Sequence, residues 1–158
     1  MNRDPYIAVV GPSAGTPAEL ALGEAVGKLI AEAGAVLVCG GMGGVMEAAA
    51  GGCHEAGGRA VGILPGTDRA DANPYLTVAV ATGMGEARNA VVVRTADVVI
   101  AIAGEFGTLS EIALALKMGK PVVGLGTWEL AKHGQPVRAI VRASDPADAV
   151  GKALSALA

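Results

Sequence analysis

The sequence predicts an α/β fold, a doubly wound sheet, mostly parallel, with helices on both faces. Three observations carry this. Strand-like apolar runs alternate with helical patterns along the 158 residues, the order that builds parallel sheets. Several of those runs are apolar at every position, which means burial on both faces. The composition is 52% apolar but only 3% aromatic, with 24 glycines; such a mixture suits β-branched strands covered closely by helices with small side chains.

The elements follow in order. Strand-like runs stand at "YIAVV" (6–10), "AVLVC" (35–39), "AVGIL" (60–64), "DVVIAIA" (97–103) and "PVVGL" (121–125). The segment 17–34 places Leu22, Val26, Leu29, Ile30 and Ala33 on one helix face. It opens on Thr16-Pro17-Ala18-Glu19, a capping box with Pro at the first helical position, and closes at Gly34. Gly- and Ala-rich 43–58, then 85–96 and 109–120, read as further helices, and Asp145, Pro146 and Asp148 cap an amphipathic tail helix. The one long irregular link is 65–83, and "LTVAVA" inside it has the pattern of a short strand. No repeat or linker divides the chain, so residues 1–158 read as one domain.

Composition also limits function. A net charge of -3 argues against a nucleic-acid polymer as partner. The apolar stretch near the N-terminus, Tyr6 to Val10, is too short for a signal peptide, and no run approaches a membrane span. Cys39 and Cys53 are too few for a disulfide scaffold and read as free buried thiols. A cytoplasmic protein is expected. His54 and His133 have no ligand spacing around them, so no metal site is expected.

In doubly wound folds ligands bind at the carboxyl ends of the strands, near the point where strand order reverses. Three such ends are glycine-rich and lead into helices: "GPSAGT" with Gly11 and Ser13, "GGMGG" with Gly40, Gly41, Gly43 and Gly44, and "GEFGT" with Gly104, Glu105, Gly107 and Thr108. Free backbone N–H groups and the helix dipole make such places receptive to phosphate. Nucleotide fingerprints fail, however. Met46 stands where a dinucleotide motif needs its third glycine, no acidic residue ends the second strand, and "GPSAGTPA" lacks the Lys of a P-loop.

Arg88 lies near the start of the helix that "GEARNAVVV" begins, where the dipole disfavours a cation. It is either a solvated arginine or one held by an anion across a cleft, a task that its bidentate geometry suits. Thr108-Leu109-Ser110-Glu111 repeats the Thr16–Glu19 capping pattern, so Thr108 and Glu111 are expected to cap a helix. Capping uses only part of a carboxylate's acceptor capacity, which leaves Glu111 free to face a ligand as well. Glu47 most simply complements a helix dipole. Met84 and Phe106 could stack on a base, although packing is the commoner role of either. Trp128 has no motif around it. The helix 109–118 is apolar nearly all round, which a homo-oligomer, a dimer or tetramer, explains.

"GGMGGVM", "GEARN" and "GEFGTLSE" together resemble the Lonely Guy superfamily, often mislabelled as lysine decarboxylases. It includes nucleoside 5′-monophosphate phosphoribohydrolases and molybdenum cofactor carrier proteins. The resemblance runs from the first strand to about Val123. It implies a Rossmann-like fold, an oligomer and a phosphorylated nucleotide-like ligand, with no other cofactor required. In the hydrolase branch the motifs read Arg-Lys and Pro-Gly-Gly-x-Gly-Thr-x-x-Glu, with the Arg and the last Glu as the catalytic pair. Carried over, that pair falls on Arg88 and Glu111, and the phosphate turn on Gly104, Gly107 and Thr108. A carboxylate can stabilise the oxocarbenium-like state of N-glycosidic cleavage while orienting water.

This chain departs from the hydrolase pattern at three places. Ala103 stands for the Pro, Asn89 for the Lys and Glu105 for the second Gly. Two like charges about 4 Å apart cost on the order of 4 kcal/mol at an intermediate dielectric, so Glu105 weakens a phosphate cradle unless it points away. The departures favour a carrier or sensor of a phosphorylated, pterin-type ligand such as molybdenum cofactor. The alternative is a phosphoribohydrolase releasing free base and ribose 5-phosphate.

Overall fold

The computed structural model describes residues 3–158. In chain order the elements are β1 (Tyr6–Val10), α1 (Pro17–Glu32), β2 (Val36–Cys39), α2 (Val45–Glu55), β3 (Arg59–Leu64), β4 (Val78–Ala81), α3 (Arg88–Thr95), β5 (Val98–Ile102), α4 (Phe106–Lys117), β6 (Val122–Leu125), β7 (Leu130–Lys132), β8 (Gln135–Val137), β9 (Ile140–Arg142) and α5 (Pro146–Ser155). Seven strands form one sheet in the order β4-β3-β2-β1-β5-β6-β9. Every pairing in it is parallel. The chain winds outward from β1 to β4, then crosses back to β5, so strand order reverses between β1 and β5. This is the Rossmann-like doubly wound sheet that the sequence predicts.

Alternation along each strand divides the core in two. Ile7, Val9, Leu37, Val98 and Ile100 point toward α1, α2 and α5. Ala8, Val10, Val38, Val99 and Ala101 point toward α3 and α4. Both faces of the central strands are therefore dry, which is why β1, β2 and β5 read as unbroken apolar runs. The glycines among the helices have a packing role: a Cβ on Gly27 of α1 would sit 1.9 Å from the Ala49 carbonyl oxygen of α2. Such contact is open only to residues without side chains.

Local signals explain most boundaries. Thr16 Oγ1 accepts from Glu19 N at 3.2 Å while Glu19 Oε2 accepts from Thr16 N at 2.9 Å, and Pro17 occupies the first turn. Asp145 caps α5 by accepting from Asp148 N at 2.8 Å. The short strand inside the irregular link is β4, at the sheet edge.

Four expectations need correction. The helix expected at 85–96 is a 3-10 turn, Gly85–Ala87, followed by α3, so Arg88 is the first α-helical residue. The helix expected at 43–58 starts only at Val45, because Gly44 has φ 65°, outside the helical region, and it ends at Glu55 before Gly57 at φ 74°. The expected helix at 109–120 starts three residues earlier, at Phe106, with Glu105 as its N-terminal flank and no side-chain cap. Thr108 and Glu111 consequently do not cap it; they lie inside it, both buried. The chain after Leu125 adds the antiparallel hairpin β7–β8 and the edge strand β9, which no apolar run announced.

Candidate functional site

The three glycine turns lie side by side. They follow β2, β1 and β5, which are neighbours in the sheet, so they share its carboxyl edge at the reversal point. A Cβ on Gly44 would meet Pro12 O at 2.3 Å, and one on Gly11 would meet Ile102 O at 2.9 Å. The turn 40–44 thus lies against the turn 11–16, which in turn abuts the end of β5. Ser13 is exposed, and its carbonyl faces Gly43. Asn73, which the sequence reading passed over, pins the middle turn. It is buried, donates from its backbone N to Gly41 O at 2.9 Å and from Nδ2 to Met42 O at 3.1 Å.

The third turn is the most contorted. Ala103 has φ 45° and Gly104 φ 108°, values that L residues with side chains rarely adopt. A Cβ on Gly104 would lie 2.4 Å from the Thr108 side chain. Ala103 is held there by its N–H to Leu125 O at 3.0 Å and by Thr127 Oγ1, which donates to Ala103 O at 2.5 Å. The double kink sends the chain into α4 immediately after Glu105. Gly107 is open on its Cβ side, and Glu105 is exposed, with no capping bond from its carboxylate.

Arg88 and Glu111 come from α3 and α4, which pack together on one face of the sheet. Arg88 reaches back to the end of β2, where Nη2 donates to Gly40 O at 3.4 Å. A Cβ on Gly40 would stand 2.7 Å from that nitrogen, so glycine is what admits the guanidinium. Nη1 donates to Asn89 Oδ1. Nε is buried and has no hydrogen-bond partner among the described residues. Asn89 also donates from Nδ2 to Ser110 Oγ at 3.1 Å, and Ser110 Oγ donates to Gly107 O at 2.6 Å. The start of α3 is thereby tied to the first turns of α4.

Glu111 is only 8% exposed. Burial pushes its carboxyl up to about 7, while the positive field of Arg88 pulls the other way. The two groups feel one another without a direct ion pair. Cys39, at the end of β2, is fully buried; burial pushes its thiol up to about 12, and the charges of Arg88 and Glu111 reach it. An arginine donor without a partner among the described residues, a carboxyl that exchanges its proton near neutrality and three glycine turns leading into helix N-termini can together bind and orient an anion.

Met84 is exposed at the start of the 3-10 turn, beyond the ends of β3 and β4. Phe106 is 76% exposed and does not pack into the core. Its ring stands 5.6 Å from that of Trp128, whose Nε1 donates to Glu105 O at 3.2 Å. Trp128 is therefore a neighbour of the site that no local motif marked. A concavity of about 900 Å³ lies beyond it, under the β7–β8 hairpin. His54 stacks near Tyr75, 6.0 Å between centroids, and His133 forms the hairpin turn at φ 51°. No helix among the described residues is long and apolar enough to cross a membrane.

Known proteins share this architecture over its whole length. The molybdenum cofactor binding protein of Rippkaea orientalis is 37% identical, with a TM-score of 0.88 and 99% of each chain covered. The molybdenum cofactor carrier protein of Chlamydomonas reinhardtii is 34% identical, with a TM-score of 0.87, covering 98% of this chain and 99% of that one. An uncharacterized protein of Archaeoglobus fulgidus is 50% identical over 100 residues, which span 63% of this chain and 66% of that protein. Residues 4–150 match the family model described as the SLOG cluster4 family, and the chain belongs to that family, within the Lonely Guy and molybdenum cofactor carrier-like superfamily.

Proposed function

We propose that this protein binds a phosphorylated, nucleotide-like molecule of the pterin type and holds it as a carrier. Molybdenum cofactor is the specific ligand that the names of the two related structures suggest. The observation that carries the reading is Arg88: a guanidinium seated at the glycine turns through Gly40, with a buried donor that no group among the described residues uses. Such a donor costs stability unless something accepts from it. The anion would sit between Arg88 and the turn 104–108, with Gly107 open above the start of α4. Glu105 stands in solvent, where its charge is screened rather than forced against the phosphate.

The test is direct. Protein expressed in a host that makes molybdenum cofactor should carry it, read as the fluorescent oxidised pterin released on denaturation. Arg88→Met should carry about tenfold less or none, the loss expected for removing one charge-assisted contact. Equal loading of wild type and Arg88→Met would overturn the reading.

A second reading is N-glycosidic hydrolysis, favoured by the buried Glu111 carboxyl in the field of Arg88. Glu111 would stabilise the oxocarbenium-like state, and Arg88 would hold the phosphorylated ribose. Incubation with nucleoside monophosphates should then release free base and ribose 5-phosphate, lost in Glu111→Gln. Without turnover, the carrier reading stands alone.

We also infer a cytoplasmic homo-oligomer, a dimer or tetramer. Leu109 and Leu116 on one flank of the buried face of α4, and Leu114 and the following Met118 on the other, remain only half-buried, apolar surface that a second copy would cover. Light scattering that gives a monomer mass would refute it.

A further inference from the structure

The chain has one Phe and one Trp, far apart in sequence, and the fold brings the two into contact beside the third glycine turn. Phe106 opens α4, so the residue that presents a free helix N–H to an anion also presents its ring. Its centroid lies 5.6 Å from that of Trp128, with the planes tilted by 38°, within the range of attractive aromatic pairs. Trp128 is partly buried and locked by its indole N–H to Glu105 O. Thr127, the residue before it, is bonded to Ala103 O. The pair is thus anchored by two hydrogen bonds to the turn that would hold phosphate. Trp128 covers only part of the Phe106 ring, which stays 76% exposed. Beyond Trp128 the surface falls into the concavity of about 900 Å³, whose walls include Ile140, Arg138 and the ion-paired Arg142 and Glu129.

We propose that Phe106 and Trp128 form a stacking platform for the planar heteroaromatic ring of the ligand, with the ring's substituents extending into the concavity under the β7–β8 hairpin. This rests on the reading of the site as one for a phosphorylated ligand. The glycine turns recognise the anion and are indifferent to what it is attached to; the aromatic pair selects a ligand that carries a ring. Both side chains are already ordered by their mutual contact and by the Glu105 bond, so stacking costs little further side-chain freedom. Every heteroaromatic base has a π-face, so the platform confers preference for the class rather than for one member.

The single tryptophan makes the test specific, because Trp128 is the only indole that can report. Its emission, excited at the red edge, is followed during titration with GMP, guanosine and ribose 5-phosphate. GMP is chosen because a pterin shares its amino-oxo pyrimidine edge. GMP and guanosine should both quench Trp128. Ribose 5-phosphate should raise the melting temperature without quenching. Phe106→Ala should weaken GMP about tenfold, the usual loss of one base–aromatic stack, and leave the ribose 5-phosphate shift unchanged. Quenching by guanosine with no effect of ribose 5-phosphate keeps the platform and refutes the phosphate reading. GMP that binds Phe106→Ala as tightly as wild type overturns the platform and leaves the phosphate reading intact. Absence of quenching by both rings also overturns it. A smaller assembly in Phe106→Ala, alongside that absence, reassigns the pair to a subunit contact.

Discussion

The chain contains the Thr-x-x-Glu signature twice, and the fold uses it in two different ways. At Thr16–Glu19 both reciprocal bonds form and the pair is helix carpentry at an exposed turn. At Thr108–Glu111 neither residue caps, because α4 has already begun at Phe106. The cause lies upstream of the signature. Before the first, Thr16 is extended at φ -67° and Pro17 presets the first helical residue. Before the second, Ala103 at φ 45° and Gly104 at φ 108° kink the chain so that the helix starts early. That displacement moves Glu111 into the second turn and under cover, against α3, where its carboxyl lies within the field of Arg88. A capping motif specifies a helix start only if the preceding backbone reaches it extended.

The sharpest way to break this difference is proline. The first region welcomes it at position 17, whereas position 103 excludes it twice. Its ring fixes φ near -65°, and Ala103 needs its N–H for Leu125 O. Ala103→Pro should cost roughly 3 kcal/mol or more, read as a lower urea midpoint than wild type. An unchanged midpoint would show that the kink is dispensable.

Next in size is Glu111→Gln. Burial raises the Glu111 carboxyl from its ordinary 4.5 to about 7. Between those values the folded protein binds more protons than the unfolded chain, so stability falls as pH rises, and above about 7 the loss is complete. The two values differ enough for a cost of about 3 kcal/mol at alkaline pH. Glu111→Gln removes the titrating group. Its stability relative to wild type should therefore grow from pH 4.5 to pH 7 and level off above. A constant difference across that window would mean that Glu111 is not desolvated. Arg88→Met should widen the window upward, since it removes the field that favours the ionised form.

What was legible in the sequence is what short-range chemistry specifies. The apolar strands, the capping box of α1, the Asp145 cap of α5 and the three glycine turns all declare themselves within a few residues. What was not legible depends on partners distant in the chain. Gly40 admits Arg88 from 48 residues away, and Asn73 pins the turn at Gly41 from within the irregular link. Phe106 and Trp128 meet only because β5 and β6 are neighbours. The β7–β8 hairpin strands have three residues each, and Pro136 and polar groups break any alternation. Its local signal was His133-Gly134, both at positive φ, a hairpin pair that a histidine obscures. The Arg88–Glu111 relation came from the resemblance, since no spacing rule joins residues on two helices.

The mildest test of the comparison substitutes valine for each threonine. Valine keeps the shape of threonine but cannot accept a hydrogen bond. At position 16 the hydroxyl accepts from Glu19 N, so Thr16→Val should lose the cap and cost about 1 kcal/mol. Position 108 is buried at 3% exposure, packed against Gly104, and supplies no cap. Thr108→Val keeps that packing and should cost less than half as much in the same denaturation experiment. Equal costs would return Thr108 to the helix start and place the true beginning of α4 three residues later. Unequal costs in the expected order would instead separate two identical signatures by the backbone that leads into them. Arg88 bears on only the second of those signatures, because only there does the early helix start place a buried carboxyl within its field.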